Sequence, residues 1–128
     1  MARYEHLPIY RKGMELCVYL ESTVRHFSRY HKYTLGTELR DTAREILRLI
    51  VRANSRTEKQ KVLETLVEQC EVLKMTLVLA KEVNAFSSFK AFQHASGLII
   101  TLCKQSEGWL KGSRNSRNYQ PPLKRAGR

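Results

Sequence analysis

The chain has 128 residues, 42% of them hydrophobic and 27% charged, with a formal charge of +11 at neutral pH. That length suits one domain with its own core, and the absence of any apolar run of roughly 18 residues excludes a membrane-spanning helix. Five cations and no acid lie between residues 113 and 128, and the remainder still carries +6, so both segments favour a polyanion. Nucleic acid is the usual partner for such a balance, ahead of an anionic membrane surface, with plain solubility as the ordinary alternative.

In chain order, Pro8 suits a first helical position and opens a helix expected over residues 8–30. Tyr10, Gly13, Cys17, Leu20, Val24 and Phe27 recur at threes and fours along it, the spacing of a bundle seam. Gly13 either admits a close neighbour or simply lowers helix propensity. The connection R-Y-H-K-Y-T is aromatic and basic. A second helix, 34–53, places Leu39, Ala43, Ile46, Ile50 and Ala53 on one stripe. Arg40, Arg44, Arg48 and Arg52 recur every fourth position, and Arg56 extends the series past the helix end. Residues four apart are neighbours on a helix, so these guanidiniums form a ridge whose planar forks fit phosphate oxygens. Asp41 and Glu45, each three residues before an arginine, offer the competing reading of a solvated face laced with ion pairs.

Thr57-Glu58-Lys59-Gln60 reads as a capping box opening a third helix, 58–82, with its seam at Leu63, Leu66, Cys70, Leu73, Leu77 and Ala80. A turn at 83–87 precedes a fourth helix, 88–111, capped by Ser87 or Ser88. Its line is Phe89, Phe92, Ser96, Ile99, Cys103 and Leu110, with Trp109 beside it and Gly112 as the stop. Residues 1–112 are thus expected to form an all-α, antiparallel up-down-up-down four-helix bundle. Residues 113–128, with two prolines and one charge sign, are expected to be a disordered basic tail. Leu47, Val51, Val62, Met75 and Val78 lie outside the seams, an apolar surplus that points to self-association.

Chemistry-bearing constellations are sparse. His6, His26, His31 and His94 show no metal-ligand spacing, and no glycine-rich phosphate loop or nucleophile beside a base is present. No metal, cofactor or catalytic residue is therefore expected. Cys17, Cys70 and Cys103 fall one to a seam, as buried structural thiols do. Their odd number, with no apolar leader in M-A-R-Y-E-H-L-P, favours a reducing, cytoplasmic setting. Arg25 and His31 have the separation that a family of small helical ribonucleases uses for charge stabilisation and acid–base work, one alternative function. The same stretch reads otherwise as Arg25, Arg29 and Lys32 beside Tyr30 and Tyr33. Cations there can hold phosphates while the rings stack on unpaired bases, or the rings pack over the open end of the bundle. The cluster abuts the arginine ridge, so the two are expected to form one basic surface. No reading helix of a known duplex-binding motif is present, which favours structured or single-stranded RNA held by its backbone.

The runs Y-E-H-L-P-I-Y (4–10), F-S-R-Y-H-K-Y-T-L-G-T-E-L-R (27–40) and E-G-W-L-K (107–111) resemble the Avd family. These are the accessory variability proteins of diversity-generating retroelements. Arg44-Glu45-Ile46-Leu47 and Arg52-Ala53-Asn54 fit the same pattern, and the resemblance covers about residues 4–111. A broader likeness, carried by the aromatic–basic loop, Gly36 and Leu39-Arg40, reaches the four-helix-bundle proteins encoded in ribosomal RNA intervening sequences. The resemblance implies a bundle that assembles into a basic, barrel-like homopentamer. It also implies a non-enzymatic protein in complex with the element's reverse transcriptase and template-repeat RNA, supporting mutagenic cDNA synthesis. Carried over by position, Arg25, Arg29, Lys32, Arg40, Arg44, Arg48 and Arg52 would face RNA or the transcriptase. Lys124 and Arg125 lie beyond the resemblance, and a role for them rests on charge alone. The broader likeness implies an alternative, a general RNA-binding bundle without a transcriptase partner.

Overall fold

A computed structural model describes residues 4–55 and 59–115. A 3-10 turn, Tyr4–His6, leads into α1 (Pro8–Val24), the one-turn α2 (Arg29–Lys32), α3 (Leu35–Ser55), α4 (Gln60–Glu82) and α5 (Phe89–Asn115). All regular structure among the described residues is helical. The four long helices form a bundle in which α1 packs on α3 and α5, and α4 packs on the same two. α1 and α4 therefore stand across the diagonal.

The stripes on α3 and α4 face inward as their spacing predicts. Leu39, Ala43, Ile46, Ile50 and Ala53 are buried, joined by Leu49. On α4, Leu63, Leu66, Cys70, Leu73, Leu77 and Ala80 are all buried. The other two helices are rotated from their predicted seams. α1 buries Ile9, Gly13, Leu16, Leu20, Thr23 and Val24, which leaves Tyr10 and Cys17 only half-buried at the flank. α5 buries Ala91, Ala95, Leu98, Ile99, Leu102, Cys103, Ser106, Trp109 and Leu110. Small residues at Ala91 and Ala95 let the start of α5 sit close to the core, which turns the bulkier Phe89 outward.

The expected first helix breaks at Val24. Amide donors of His26 and Phe27 reach back three residues, to the Thr23 and Val24 carbonyls at 3.1 and 2.9 Å, tightening the last turn. That turn sends Phe27 into the core, 4% exposed, and Ser28 then adopts an extended conformation before α2. Burial of one aromatic ring has overridden a helical period here. At the far end α5 runs on through Gly112, which takes no left-handed φ and so cannot act as the expected stop. The Arg114 guanidinium lies 3.6 Å from the Glu64 carboxylate, tying this extension of α5 back to α4.

The turn between α4 and α5 is well specified. Asn84 takes the left-handed conformation (φ 59°), and the amides of Asn84 and Ala85 bond back to the Lys81 and Ala80 carbonyls at 3.0 and 2.9 Å. This is a Schellman closure with asparagine in the glycine position. Ser88, rather than Ser87, caps α5, its hydroxyl accepting from the Ala91 amide at 3.1 Å. Of the expected capping box, Thr57 and Glu58 lie outside the described residues, while Gln60 is the first residue of α4 and its side-chain amide donates forward to the Glu64 carboxylate at 3.3 Å.

Candidate nucleic-acid interface

The antiparallel order gathers four chain segments at one end of the bundle: the end of α1, the loop carrying α2, the start of α3 and the α4–α5 turn. Phenylalanines close that end. Phe27 meets Phe86 edge-on with centroids 5.2 Å apart, Phe86 meets Phe92 at 5.8 Å, and Phe92 meets Phe89 at 5.7 Å. Tyr30 and Tyr33 take no part in this closure and stand 76% and 65% exposed. Their alternative role, packing over the open end, is filled by Phe27 and Phe86 instead.

The loop is held from beneath. The Thr34 hydroxyl donates to the Tyr30 carbonyl at 2.8 Å, and the Lys32 amide to the Ser28 carbonyl at 2.7 Å. His31 is half-buried with its ring edge-on to Tyr30 at 5.1 Å, while Arg25 is the C-cap residue of α1. Arg25 and Arg29 are exposed and Lys32 half-buried, and among the described residues none of the three has an acidic partner. From the other turn come Lys90, exposed on the first turn of α5, and Lys81, whose ammonium lies 5.4 Å from the Phe92 ring centroid and 3.1 Å from Glu82. Sequence spacing did not single out Lys81, Lys90 or Phe89 for this surface. They lie more than 45 residues along the chain from Tyr33, and the Phe27–Phe86 contact brings the turns together.

The arginine ridge on α3 differs in kind. Arg44 pairs with Glu21 of α1 and with Asp41 at 3.2 Å, Arg40 reaches Glu21 at 3.4 Å, and Arg48 pairs with Glu45 at 3.1 Å. Burial pushes the Glu21 carboxyl up, but hydrogen bonds and charge from Arg44 and then Arg40 outweigh it, leaving Glu21 below the usual carboxylate range. Arg52 is exposed and has no acidic partner among the described residues. It lies twelve residues along α3 from Arg40, about 18 Å at the helical rise, toward the opposite end of the bundle. The expected single basic surface is thus divided: an unpaired cluster at one end, a largely neutralised ridge along the side, and Arg52 apart. Arg56, Lys124 and Arg125 lie outside the described residues.

The cysteines divide too. Cys70 and Cys103 are buried between α4 and α5, and the neighbouring Cys103 thiol followed by burial pushes the Cys70 thiol up. The Ser106 hydroxyl satisfies itself on the Cys103 carbonyl at 3.1 Å. Cys17 is only half-buried, against the expectation of three core thiols. Its thiol is raised to about 11, chiefly by burial, with Arg44 opposing. Among the described residues no group of three or more His, Cys, Asp or Glu is placed to hold a metal ion, and no helix is long and apolar enough to cross a membrane.

No curated protein matches the chain. A family model described as bAvd-like matches residues 7–113, which takes in the loop of α2, the arginine ridge and all four long helices but for the last two residues of α5. By that match, over most of its length, the chain belongs to the bAvd-like family.

Proposed function

We propose that this protein is the accessory component of a diversity-generating retroelement, a non-enzymatic, cytoplasmic adaptor. It binds the template-repeat RNA and docks on the element's reverse transcriptase to support mutagenic cDNA synthesis. Family membership supports the setting. The observation that carries nucleic-acid binding is the end of the bundle, where Arg25, Arg29 and Lys32 are free of acids beside two exposed tyrosines. Phosphate contacts need cations whose charge is not already spent locally, so this end leads. Arg40, Arg44, Arg48 and Arg52, with Arg56, form a second, weaker contact line, and Lys124 and Arg125 of the tail add charge.

Assembly into a ring, a homopentamer by family likeness, is part of the proposal. Met14 and Val18 expose an apolar stripe on α1, at 38% and 61%, and Met75, Val78, Leu79 and Val83 expose another on α4, at 40–64%. Because α1 and α4 are diagonal, the two stripes lie on opposed faces. Joining unlike faces head to tail is a heterologous contact, which closes into a ring where the rotation from one subunit to the next allows and does not make a two-fold dimer.

The test is co-purification of the same element's reverse transcriptase with this protein, with and without the template RNA, over a salt series. Transcriptase retention that depends on this protein, with RNA affinity falling steeply as salt rises, is the expected result. RNA binding without any retained transcriptase would favour the general RNA-binding bundle. Absence of RNA binding at low salt would overturn the reading of the bundle end.

A further inference from the structure

The exposed aromatic rings at the loop end of the bundle are out of place for a face that only needs solubility. Phe27, Phe86 and Phe92 already supply the apolar closure, yet Tyr30, Tyr33 and Phe89 present 76%, 65% and 61% of their surface. Cations are interleaved with them. Within α2 and the residue after it, Tyr30 and Tyr33 are three apart, and so are Arg29 and Lys32, which sets a pair of rings beside a pair of charges. Lys90 follows Phe89 directly, so the second turn repeats the same combination of ring and cation. Backbone phosphates alone would need only the charges. Flat, exposed rings beside unpaired cations are what unstacked bases need, because every base has a face that can stack whatever its sequence. In a duplex those faces are already occupied by neighbouring base pairs.

We propose that the end of the bundle formed by the 25–34 loop and the α4–α5 turn binds single-stranded nucleic acid. Unpaired bases stack on Tyr30, Tyr33 and Phe89, and Arg25, Arg29, Lys32 and Lys90 hold the phosphates. The inference rests on the nucleic-acid reading above and narrows it from RNA in general to unpaired segments. It also assigns the α4–α5 turn to the site.

The experiment measures binding of the full-length protein to a fluorescent 12-nucleotide single strand and to the same sequence closed in a hairpin duplex. Tyr30→Ser with Tyr33→Ser is expected to weaken single-strand binding at least about tenfold while leaving the duplex within about threefold. Phe89→Ser is expected to act in the same direction. Tyr30→Phe with Tyr33→Phe keeps the ring faces and retains the single-strand affinity. Arg25→Glu with Arg29→Glu weakens both ligands. Because the tyrosines are exposed, thermal melting of the serine variant should match that of the wild type. Equal losses on both ligands, no loss on either, or failure of the phenylalanine variant would overturn stacking while leaving nucleic-acid binding in place. A wild-type protein that binds neither ligand overturns the broader reading itself.

Discussion

At the scale of single residues, the loop end depends on Gly36. A Cβ built there would lie 2.5 Å from the Val24 Cγ1 and 3.2 Å from the His31 carbonyl oxygen. Val24 is β-branched and buried, and a backbone carbonyl cannot rotate away, so neither neighbour yields cheaply. Gly36→Ala is expected to destabilise the fold by about 1–3 kcal/mol by overpacking, measured by urea denaturation. Gly13 is the useful contrast. A Cβ there would sit 3.2 Å from the Leu47 and Ile50 Cδ1 atoms, both flexible chain ends, and alanine gains helix propensity. Gly13→Ala should therefore stay within about 1 kcal/mol of the wild type. If Gly36→Ala proved as stable as Gly13→Ala, the close packing of α3 under the loop would not be what fixes it.

Among the elements, α3 carries two faces with different legibility. Its apolar stripe follows directly from the period of the sequence, as does that of α4, because one side chain in three or four pointing inward leaves a helix little choice of orientation. α1 and α5 sit part of a turn away from their expected seams. Each carries apolar residues around more than half its circumference, so spacing alone admits several seams, and the packing of Ala91, Ala95 and Leu16 selects among them. The charged face of α3 was legible as a ridge, and its ion pairs within the helix were foreseeable from Asp41 and Glu45. The pairing with Glu21 was not, since it crosses from another helix. Glu21 has its carboxyl held below the ordinary value, so its contribution is complete above about pH 4.3 and is lost as pH falls through the lower folded value. The pairs are partly exposed, so that contribution is at most about 1 kcal/mol. Stability of the wild type and Glu21→Gln should differ by this small amount at pH 7 and converge as the pH falls through the lowered folded value of Glu21. A constant difference across that range would show that the glutamine acts by something other than charge.

Over the whole molecule, the fold class was readable because four amphipathic segments joined by short connections have few ways to bury their faces together. The candidate site was readable only in part. Arg25, Arg29, Tyr30, Lys32 and Tyr33 are neighbours in sequence and were grouped on that basis. Phe89 and Lys90 reach them only through the bundle's topology. Whether residues pair with acids or stand free is likewise a tertiary property, and it reverses the ranking of ridge and loop. The opposed apolar stripes carry a prediction at this scale. Met75→Glu with Leu79→Glu places two charges on the exposed face of α4, where neither residue supports the core. Sedimentation should then report a monomer with unchanged helical content, in place of the oligomer proposed for the wild type. An unaltered oligomer would assign the contact to another face.

Trp109 has a practical consequence. It is the only tryptophan in the chain, 1% exposed, and it lies twenty residues along α5 from Phe89, about 30 Å at the helical rise. Its emission reports the integrity of the packed end of the bundle remote from the loop, and shifts to the red when that end opens to water. Tyr30 and Tyr33 lie exposed at the other end, where a ligand stacked as proposed would quench their emission. Exciting the indole alone therefore follows unfolding, and exciting both fluorophores adds occupancy. The sequence has built two optical channels into one unlabelled molecule, so a variant that loses affinity can be told from one that loses its fold in the same titration.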